Sequence, residues 1–120
     1  EIARNAGAGE TLDRIIPEIY NEAMFPGTAM LYSFPSSVYS LWQEYSVEEL
    51  EYIASFCKEK GIPAATVYWE YWSEETEKIF EKNGISLYVY TVNDRDQARR
   101  YISQGAEGIC TDFLTAEDLW

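Results

Sequence analysis

The segments Tyr88-Val-Tyr-Thr-Val-Asn-Asp94 and Gly105-Ala-Glu-Gly-Ile-Cys-Thr-Asp-Phe113 decide the fold of this chain. Each is a short apolar run that ends in polar residues, and the residues between them have helical spacing. A strand, a helix and a second strand in this order form a βαβ unit, in which the two strands are parallel. Because α/β folds bind ligands at the carboxyl ends of parallel strands, these polar residues are the first candidates for a functional site.

Capping residues divide the rest of the chain into helices. Ser46-Val-Glu-Glu49 is a capping box, which predicts a helix start because its side chains can satisfy two orphan amides, and Gly61 predicts the end of that helix. A second helix is predicted to end at Asn83-Gly84. The other predicted caps are Ser73, either Asn93 or Asp94 (with Asn93 favoured on spacing), and Thr115.

Five strands are predicted around these helices. Residues 14–20 are ambiguous, because helical spacing competes with Pro17, which would remove a helical hydrogen bond, and a strand is favoured. Residues 1–12 have the character of a frayed helix end and a Gly-rich turn. The other predicted strands are 29–34, 63–69, 85–92 and 109–111. This alternation at roughly twenty-residue spacing predicts an α/β fold with parallel strands.

Composition narrows the classes of partner. A chain of 120 residues with 47% apolar content is one domain at most and can bury a real core. Nine basic and 21 acidic residues give a net charge of −12, which repels nucleic acid and anionic lipid, and no apolar run is long enough to span a bilayer. Cys57 and Cys110 form no CxxC pair and no disulfide framework. Because the sequence contains no histidine, His-based zinc sites and Ser–His or Cys–His catalysis are excluded within it.

The start of the sequence bears on processing and location. Because the first residue is Glu1 rather than Met, we expect further sequence upstream. No signal peptide is visible and cysteines are few, which favours the cytoplasm while leaving the compartment open.

Polar and aromatic groups follow all five predicted strands and would lie at one edge if the strands are parallel. They are Glu18 and Tyr20, Tyr32 and Ser33, Tyr68 and Glu70, Tyr90, Thr91 and Asn93, and Thr111 and Asp112. Carboxylates in such a place can hold a divalent cation, and aromatic walls can hold the apolar part of a substrate. Simpler interpretations stay open: Asn93 and Asp112 as caps, the glutamates as solvated charges, and the aromatic residues at 68–72 as packing under a loop.

Two of these segments resemble the closing strands of glycerophosphodiester phosphodiesterases. The penultimate strand of that family typically has the sequence Val-Trp-Thr-Val-Asn, which is Val89-Tyr-Thr-Val-Asn93 here. The last strand typically has the pattern Gly-hydrophobic-Asp-Gly-Ile-hydrophobic-Thr-Asp, which is Gly105-Ala-Glu-Gly-Ile-Cys-Thr-Asp112 here. Arg14-Ile-Ile-Pro-Glu-Ile-Tyr20 is similar to an Ile-Pro-Gln-Ile-Tyr strand of one branch of the family, which supports the strand at that position. The resemblance implies that residues 1–120 are the carboxyl-terminal portion of a (β/α)8 TIM barrel, about its last five βα units.

The resemblance also implies which parts of a site are present. In that family two histidines act as acid and base, and Glu and Asp bind a Ca²⁺ or Mg²⁺ ion, in His-Arg-Gly, Glu-x-Asp, His-Asp and Glu-x-Lys motifs of the first three strands. None of these motifs occurs here, so no catalytic or metal-binding residue is assigned, and we expect no cation to bind to this chain alone. The matching supporting positions, assigned to substrate binding, are Glu18, Tyr90, Thr91, Asn93 and Asp112. Tyr90 replaces a family tryptophan, which leaves the substrate's alcohol group open.

These observations favour the carboxyl-terminal part of a metal-dependent phosphoric diester hydrolase of glycerophosphodiesters or related lipid headgroups. This chain would supply pocket wall and rim and would be inactive alone. Because a five-stranded part of a barrel exposes two ladder edges and one side of its interior, we expect it to close against its missing amino-terminal half or to form a homo-oligomer. The alternative is a non-catalytic α/β module for binding or oligomerisation.

Overall fold

A computed structural model describes residues 16–26 and 37–119 of the chain. Its strands are β1 (Glu18–Ile19), β2 (Val38–Leu41), β3 (Ala64–Tyr68), β4 (Ser86–Tyr90) and β5 (Gly108–Ile109). Its helices are α1 (Val47–Lys60), α2 (Glu74–Lys82), α3 (Arg95–Ser103) and α4 (Ala116–Leu119), with a 3₁₀ turn at Trp69–Tyr71. The predictions for residues 1–12 and for a strand at 29–34, including Tyr32 and Ser33, lie outside the described residues.

The five strands form one sheet in the order β1-β2-β3-β4-β5, and every neighbouring pair is parallel. The predicted α/β fold with parallel strands is therefore confirmed, and Glu18–Ile19 is a strand rather than part of a helix. The predicted strands at 63–69 and 85–92 are present with narrower bounds, and the one predicted at 109–111 lies at Gly108–Ile109, so it begins one residue earlier and ends two residues earlier. Strand β2 was not predicted from the sequence, although it joins β1 to the rest of the sheet.

The helix starts depend on side-chain caps, and one prediction about them was wrong. The Ser46 amide donates to the Glu49 carboxylate at 2.8 Å, and the Glu49 amide donates to the Ser46 hydroxyl at 3.2 Å, so the predicted capping box is present. Helix α1 ends at Gly61, whose φ of 70° is left-handed and favours glycine. Asp94, not Asn93, caps α3, because Asp94 directly precedes the first helical residue and its carboxylate accepts the Gln97 amide at 2.8 Å.

Of the other two predicted caps, Ser73 accepts a helix amide as a cap does, whereas Thr115 donates its hydrogen bonds. The Ser73 hydroxyl accepts the Thr76 amide at 3.0 Å and caps α2. At the start of α4, the amide and the hydroxyl of Thr115 both donate to the Asp118 carboxylate, at 2.8 and 3.2 Å. Asp118 therefore supplies the accepting group at this helix start, and Thr115 is held by it.

The sheet has two unlike sides, which we call the helix side and the open side. Side chains at alternate positions, such as Ala65 and Val67 in β3 and Leu87 and Val89 in β4, are buried against α1, α2 and α3. The intervening residues, Thr66, Tyr68, Tyr88 and Tyr90, point to the other face and stay half-exposed. The core therefore lies on one side of the sheet only, among the described residues. No helix in this part of the chain is long and apolar enough to cross a membrane.

Candidate functional site

The carboxyl ends of β4 and β5 are joined by the side chain of Asn93. Its amide nitrogen donates to the Asp112 carboxylate at 3.0 Å. Its carbonyl oxygen accepts the Thr111 hydroxyl and the Asp112 backbone amide, both at 2.9 Å. These three bonds bring together residues that are 18 and 19 positions apart in the sequence, and they fix the orientation of the Asp112 carboxylate at the edge of the sheet.

The interpretation of Asn93 and Asp112 as simple caps is therefore not what the structure shows. The cap of the turn after β5 is Thr111, whose hydroxyl accepts the Leu114 amide at 3.3 Å. The side chains of Asn93 and Asp112 are hydrogen-bonded to each other across the two strand ends, and both residues are exposed. Neither side chain caps a helix.

An aromatic group surrounds the end of β3 beside this pair of strand ends. The rings of Tyr68 and Tyr90 meet edge to face, with centroids 5.8 Å apart. Trp69 stacks on Tyr68 at 5.7 Å, and Tyr71 contacts the same ring at 5.8 Å. Tyr90 is thereby held in a wall of four aromatic rings at the carboxyl edge of the sheet.

Trp72, which the sequence grouped with these aromatics, has a different role. Its indole nitrogen donates to the Gln104 side chain at 2.9 Å, and its ring meets Tyr101 edge to face at 5.8 Å. Trp72 therefore packs the loop after β3 against the end of α3. Packing under a loop is therefore confirmed for Trp72, and a binding role for the other aromatic residues of the run stays a prediction.

A groove of about 550 Å³ runs along the open side of the sheet. Glu18 and Tyr90 both line it, so two of the predicted site residues share one space. The register pairs Glu18 with Val38, the first residue of β2, so Glu18 lies below the rim rather than at the carboxyl end of its strand. The prediction that Glu18 lies at the rim is therefore corrected, because the register places it level with the first residues of β2 and β3, although β1 itself ends at the next residue.

The electrostatics of the groove connect its two outer strands. Partial desolvation raises the pKa of the Cys110 thiol, and the negative charge of Glu18 raises it further. The carboxylate of Glu18 on β1 therefore raises the pKa of a thiol that follows β5, and both residues line the same groove although they belong to the two outer strands. Thr91, the remaining predicted residue, is exposed directly after Tyr90.

The groove also contains residues that the sequence analysis missed. Ser40 on β2 and Thr66 on β3 line it as register partners, with their hydroxyl oxygens 3.5 Å apart. Their sequence signal is weak, since it consists only of hydroxyl residues at the positions that alternate with buried apolar ones. Cys110 also lines the groove.

The described residues do not fit the divalent cation that the resemblance implies. Among residues 16–26 and 37–119, no three carboxylate or thiol groups lie close enough to hold a metal ion. The arrangement provides an aromatic wall, a bound amide–carboxylate pair and a carboxylate in a groove. Such groups bind and orient a ligand, and no pair among them is placed as acid and base.

Comparisons with known proteins agree with this architecture. A model of the glycerophosphoryl diester phosphodiesterase family matches residues 37–116, two thirds of the chain. No curated protein matches the sequence.

Two solved structures share the fold. One, from Silicibacter pomeroyi and assigned provisionally as a glycerophosphoryl diester phosphodiesterase, has a TM-score of 0.69 and 17% identity over 92% of this chain and 38% of its own. The other, an Oleispira antarctica phosphodiesterase in complex with the product sn-glycerol-3-phosphate, has a TM-score of 0.63 and 12% identity over 78% of this chain and 36% of its own. The chain spans well under half the length of either structure, so its five parallel strands correspond to part of a TIM barrel.

Proposed function

This chain belongs to the glycerophosphoryl diester phosphodiesterase family, and we propose that it is the carboxyl-terminal portion of a phosphodiesterase barrel for glycerophosphodiesters of the kind derived from lipid headgroups. In this proposal its residues form one wall and part of the rim of the substrate pocket. The residues assigned to substrate binding are Glu18, Tyr90, Thr91, Asn93 and Asp112.

The observation that carries the proposal is the hydrogen-bonded junction of Asn93, Thr111 and Asp112. It lies at the carboxyl edge of a parallel sheet, which is where TIM barrels assemble their active sites. Residues that only terminate strands have no need of three mutual hydrogen bonds over 18 or 19 positions. A preorganised amide and carboxylate, in contrast, hold a ligand without losing side-chain entropy when it binds.

The chain's own part in the reaction is to bind and position. Tyr90, held by Tyr68, presents an apolar wall to the glycerol or alcohol portion of the diester. The Asp112 carboxylate, oriented by Asn93, accepts hydrogen bonds from substrate hydroxyl groups. With no histidine in the chain, acid–base catalysis by the imidazole pair of the family must come from the rest of the barrel.

A divalent cation would supply electrostatic stabilisation of the phosphate when it is bound in the complete barrel. Because the described residues offer no cluster of ligands for it, we assign the metal ligands to the remaining strands and derive no step through the metal here. This assignment also relieves the electrostatic conflict between a phosphodiester and a chain with a net charge of −12.

Two assays test the proposal. Release of glycerol 3-phosphate from a glycerophosphodiester by the 120-residue chain alone should not exceed background, and turnover that a chelator abolishes would contradict the predicted inactivity. In the longer protein that contains this chain, Asn93→Ala should lower kcat/KM about tenfold, chiefly through KM, because it disorders a binding group.

Asn83→Ala is the matched control for that variant. Asn83 is also an asparagine at the end of an element, where its side chain donates to the Ile79 carbonyl at 2.8 Å, but it lies at the end of α2 and away from the rim. It should leave kcat/KM unchanged. Equal effects of the two variants would mean that Asn93 acts through stability, and the rim assignment would then be wrong.

The open side of the sheet favours a second candidate, a non-catalytic binding or oligomerisation module. Ile16 is 59% exposed beside a groove of about 550 Å³, and β1 and β5 leave both edges of the sheet without a described neighbour. Sedimentation of the chain at micromolar concentration distinguishes the cases. A concentration-dependent dimer supports this candidate, whereas a stable monomer that associates only with the remainder of the barrel supports the first.

A further inference from the structure

Tyr68 lies at the centre of the aromatic group at the end of β3. Trp69 stacks on its ring with centroids 5.7 Å apart. Tyr71 and Tyr90 each contact the same ring with centroids 5.8 Å away. Tyr68 therefore contacts every other ring of the wall at the carboxyl edge of the sheet, and removing its ring would remove all three of these contacts at once.

Tyr68 and Tyr90 differ in what else they face. Tyr90 lines the groove of the open side, whereas Tyr68 does not. The two residues are register partners on β3 and β4, and their rings meet edge to face at 76°, an arrangement that aromatic pairs prefer. Tyr68 therefore supports the ring of Tyr90 from the neighbouring strand without lining the groove itself.

The 3₁₀ turn that follows Tyr68 is fixed to the rest of the protein. The Trp72 amide closes this turn by donating to the Trp69 carbonyl at 3.4 Å. The indole nitrogen of Trp72 donates to the Gln104 side chain at 2.9 Å, and its ring packs at 5.8 Å against Tyr101, which is buried in the core. The turn is thus attached to β3 at its start and to the end of α3 after it, so the rings that it carries are held against Tyr68.

This aromatic group lies outside the buried core. Tyr68 and Tyr90 are half-exposed on the open side, and Trp69 and Tyr71 are each 37% exposed. The core residues lie on the helix side of the sheet, so the contacts of Tyr68 are not among those that bury the core. Rings that contact one another and yet remain accessible form a preorganised surface, which loses little side-chain freedom when a ligand covers it.

We propose that Tyr68 is a positioning residue of the substrate pocket that acts through Tyr90, and that the Trp72–Gln104 hydrogen bond contributes by fixing the turn that holds Tyr68. The inference rests on the proposed function, in which Tyr90 forms a wall of the pocket. A tyrosine ring moves about two side-chain torsions, and contact with Tyr68 restricts both before the substrate arrives. The substrate then does not have to order the ring, so Tyr68 tightens binding without taking part in the chemical step.

The test is steady-state hydrolysis by the longer protein that contains this chain, with glycerophosphoethanolamine or glycerophosphoglycerol, whichever the parent hydrolyses faster. Tyr68→Leu removes the ring and keeps an apolar side chain. It should raise KM about fivefold and keep kcat within about twofold of the parent, because an aromatic pair is lost and no reacting group changes. Tyr68→Phe keeps the ring and should bring KM back to within about twofold of the parent. An unchanged KM in Tyr68→Leu, or an equal loss in Tyr68→Phe, overturns the proposal.

A double-mutant cycle separates positioning from direct contact with the substrate. In a Tyr90→Ala background, Tyr68→Leu should change KM less than about twofold, because Tyr68 then has no ring to hold. A persistent fivefold increase there would mean that Tyr68 contacts the substrate itself or acts through folding, and either result overturns the positioning role. Urea unfolding shows whether each variant is folded, and Tyr68→Met replaces Tyr68→Leu if that variant is not.

The contribution of the distant hydrogen bond has a matched control on the same helix. Gln104→Leu removes the acceptor for the Trp72 indole and should raise KM about threefold without a change in kcat. Gln97→Leu replaces an exposed glutamine of α3 and should leave KM unchanged. Equal KM values in the two variants overturn the contribution of the Trp72–Gln104 bond.

The failure of this inference is distinguishable from failure of the proposed function. A parent protein that hydrolyses neither diester overturns both. An active parent whose KM responds to Tyr90→Ala but not to Tyr68→Leu overturns only the positioning role. An active parent whose KM responds to neither variant contradicts the wall assigned to Tyr90 and overturns the inference with it.

Discussion

The helix side and the open side of the sheet are made by the same strands, yet their side chains differ in burial. On the helix side, Val67 and Val89 are almost fully buried between strands and helices. One residue further along each strand, Tyr68 and Tyr90 face the open side, touch each other and remain half-exposed. Because successive side chains of a strand point to opposite faces, one face of the sheet is a packed core and the other stays partly exposed.

This contrast shows which parts of the fold are self-sufficient. The helix side buries apolar surface that favours folding by about 25 cal/mol for each Å². The open side carries hydroxyl, carboxylate and aromatic groups, and in the proposed function these groups contact a ligand or further barrel strands. Substitutions on the helix side should therefore alter stability, and substitutions on the open side and its rim should alter binding more than folding.

The largest expected effect is on the helix side. Phe80 on α2 is fully buried, so Phe80→Ala should lower the free energy of unfolding by about 3–5 kcal/mol, through lost burial and a residual cavity. Phe113→Ala is the matched control, because Phe113 is 72% exposed and its loss should cost less than about 0.5 kcal/mol. Urea unfolding measures both, and comparable losses would contradict the division between the two sides.

A smaller effect is expected at Gly108, on the open side. A Cβ atom at this position would lie 2.9 Å from the Cδ2 and Cε2 atoms of the Tyr88 ring, so the ring must move in Gly108→Ala. We expect a loss of about 1–2 kcal/mol, as is usual for overpacking. The same substitution in a Tyr88→Ala background should cost almost nothing, and a persistent loss there would show that the backbone, not the ring, is responsible.

Asp94 and Asn93 provide a comparison between adjacent residues. Asp94→Ala removes the cap of α3 and should cost about 1 kcal/mol, with faster hydrogen exchange at the Gln97 amide. Asn93→Ala should instead speed exchange at the Asp112 amide and leave α3 protected. The opposite pattern would restore Asn93 as the cap.

The smallest expected effect is on the pH dependence of stability at alkaline pH, and it comes from the buried thiol of Cys57. The pKa of Cys57 is raised to about 12 by burial in the fold, so the unfolded chain loses this proton first as pH rises above about 9. The stabilisation is therefore complete below the unfolded pKa and declines as pH rises toward the folded one. Cys57→Ala should flatten the fall of unfolding free energy as the pH rises above about 9, the ordinary thiol value, toward about 12, measured by urea titration at a series of pH values.

Cys110 is the control for this measurement, because it is exposed beside the open side. A thiol reagent should modify Cys110 rapidly in the folded chain and Cys57 only after unfolding. Equal pH slopes in the parent chain and Cys57→Ala, or rapid labelling of Cys57, would contradict the burial of this thiol.

The sequence predicted the features whose chemistry is local. The Ser46–Glu49 capping box and the glycine stop at position 61 each depend on a few neighbouring residues, and both are present. The choice between Asn93 and Asp94 failed by one residue, because either side chain can cap and only the start of α3 distinguishes them. Strand β2 was missed because Val38–Leu41 is only four residues long and three of them are buried, so alternation gives no signal.

The site was predicted in part for a similar reason. Tyr90, Asn93 and Asp112 follow apolar runs and match a family pattern, so their place at strand ends was predictable. Ser40 and Thr66 were not, since a hydroxyl group within a strand has no local signature. A cavity of about 810 Å³ beside the ends of β1 and β2, lined by Trp42 and Glu22, was also missed, because its lining combines the ends of two strands with the first turns of a helix.

By itself the sequence determined the α/β class, the helix boundaries that side chains encode and the family to which the chain belongs, because short-range spacing and motifs carry that information. Only the tertiary structure decided that Glu18 lies below the rim, that Asn93 joins two strand ends, and that Tyr39, Trp42 and Glu22 line one cavity. Register and sheet curvature set these distances, and both result from packing between residues far apart in the chain.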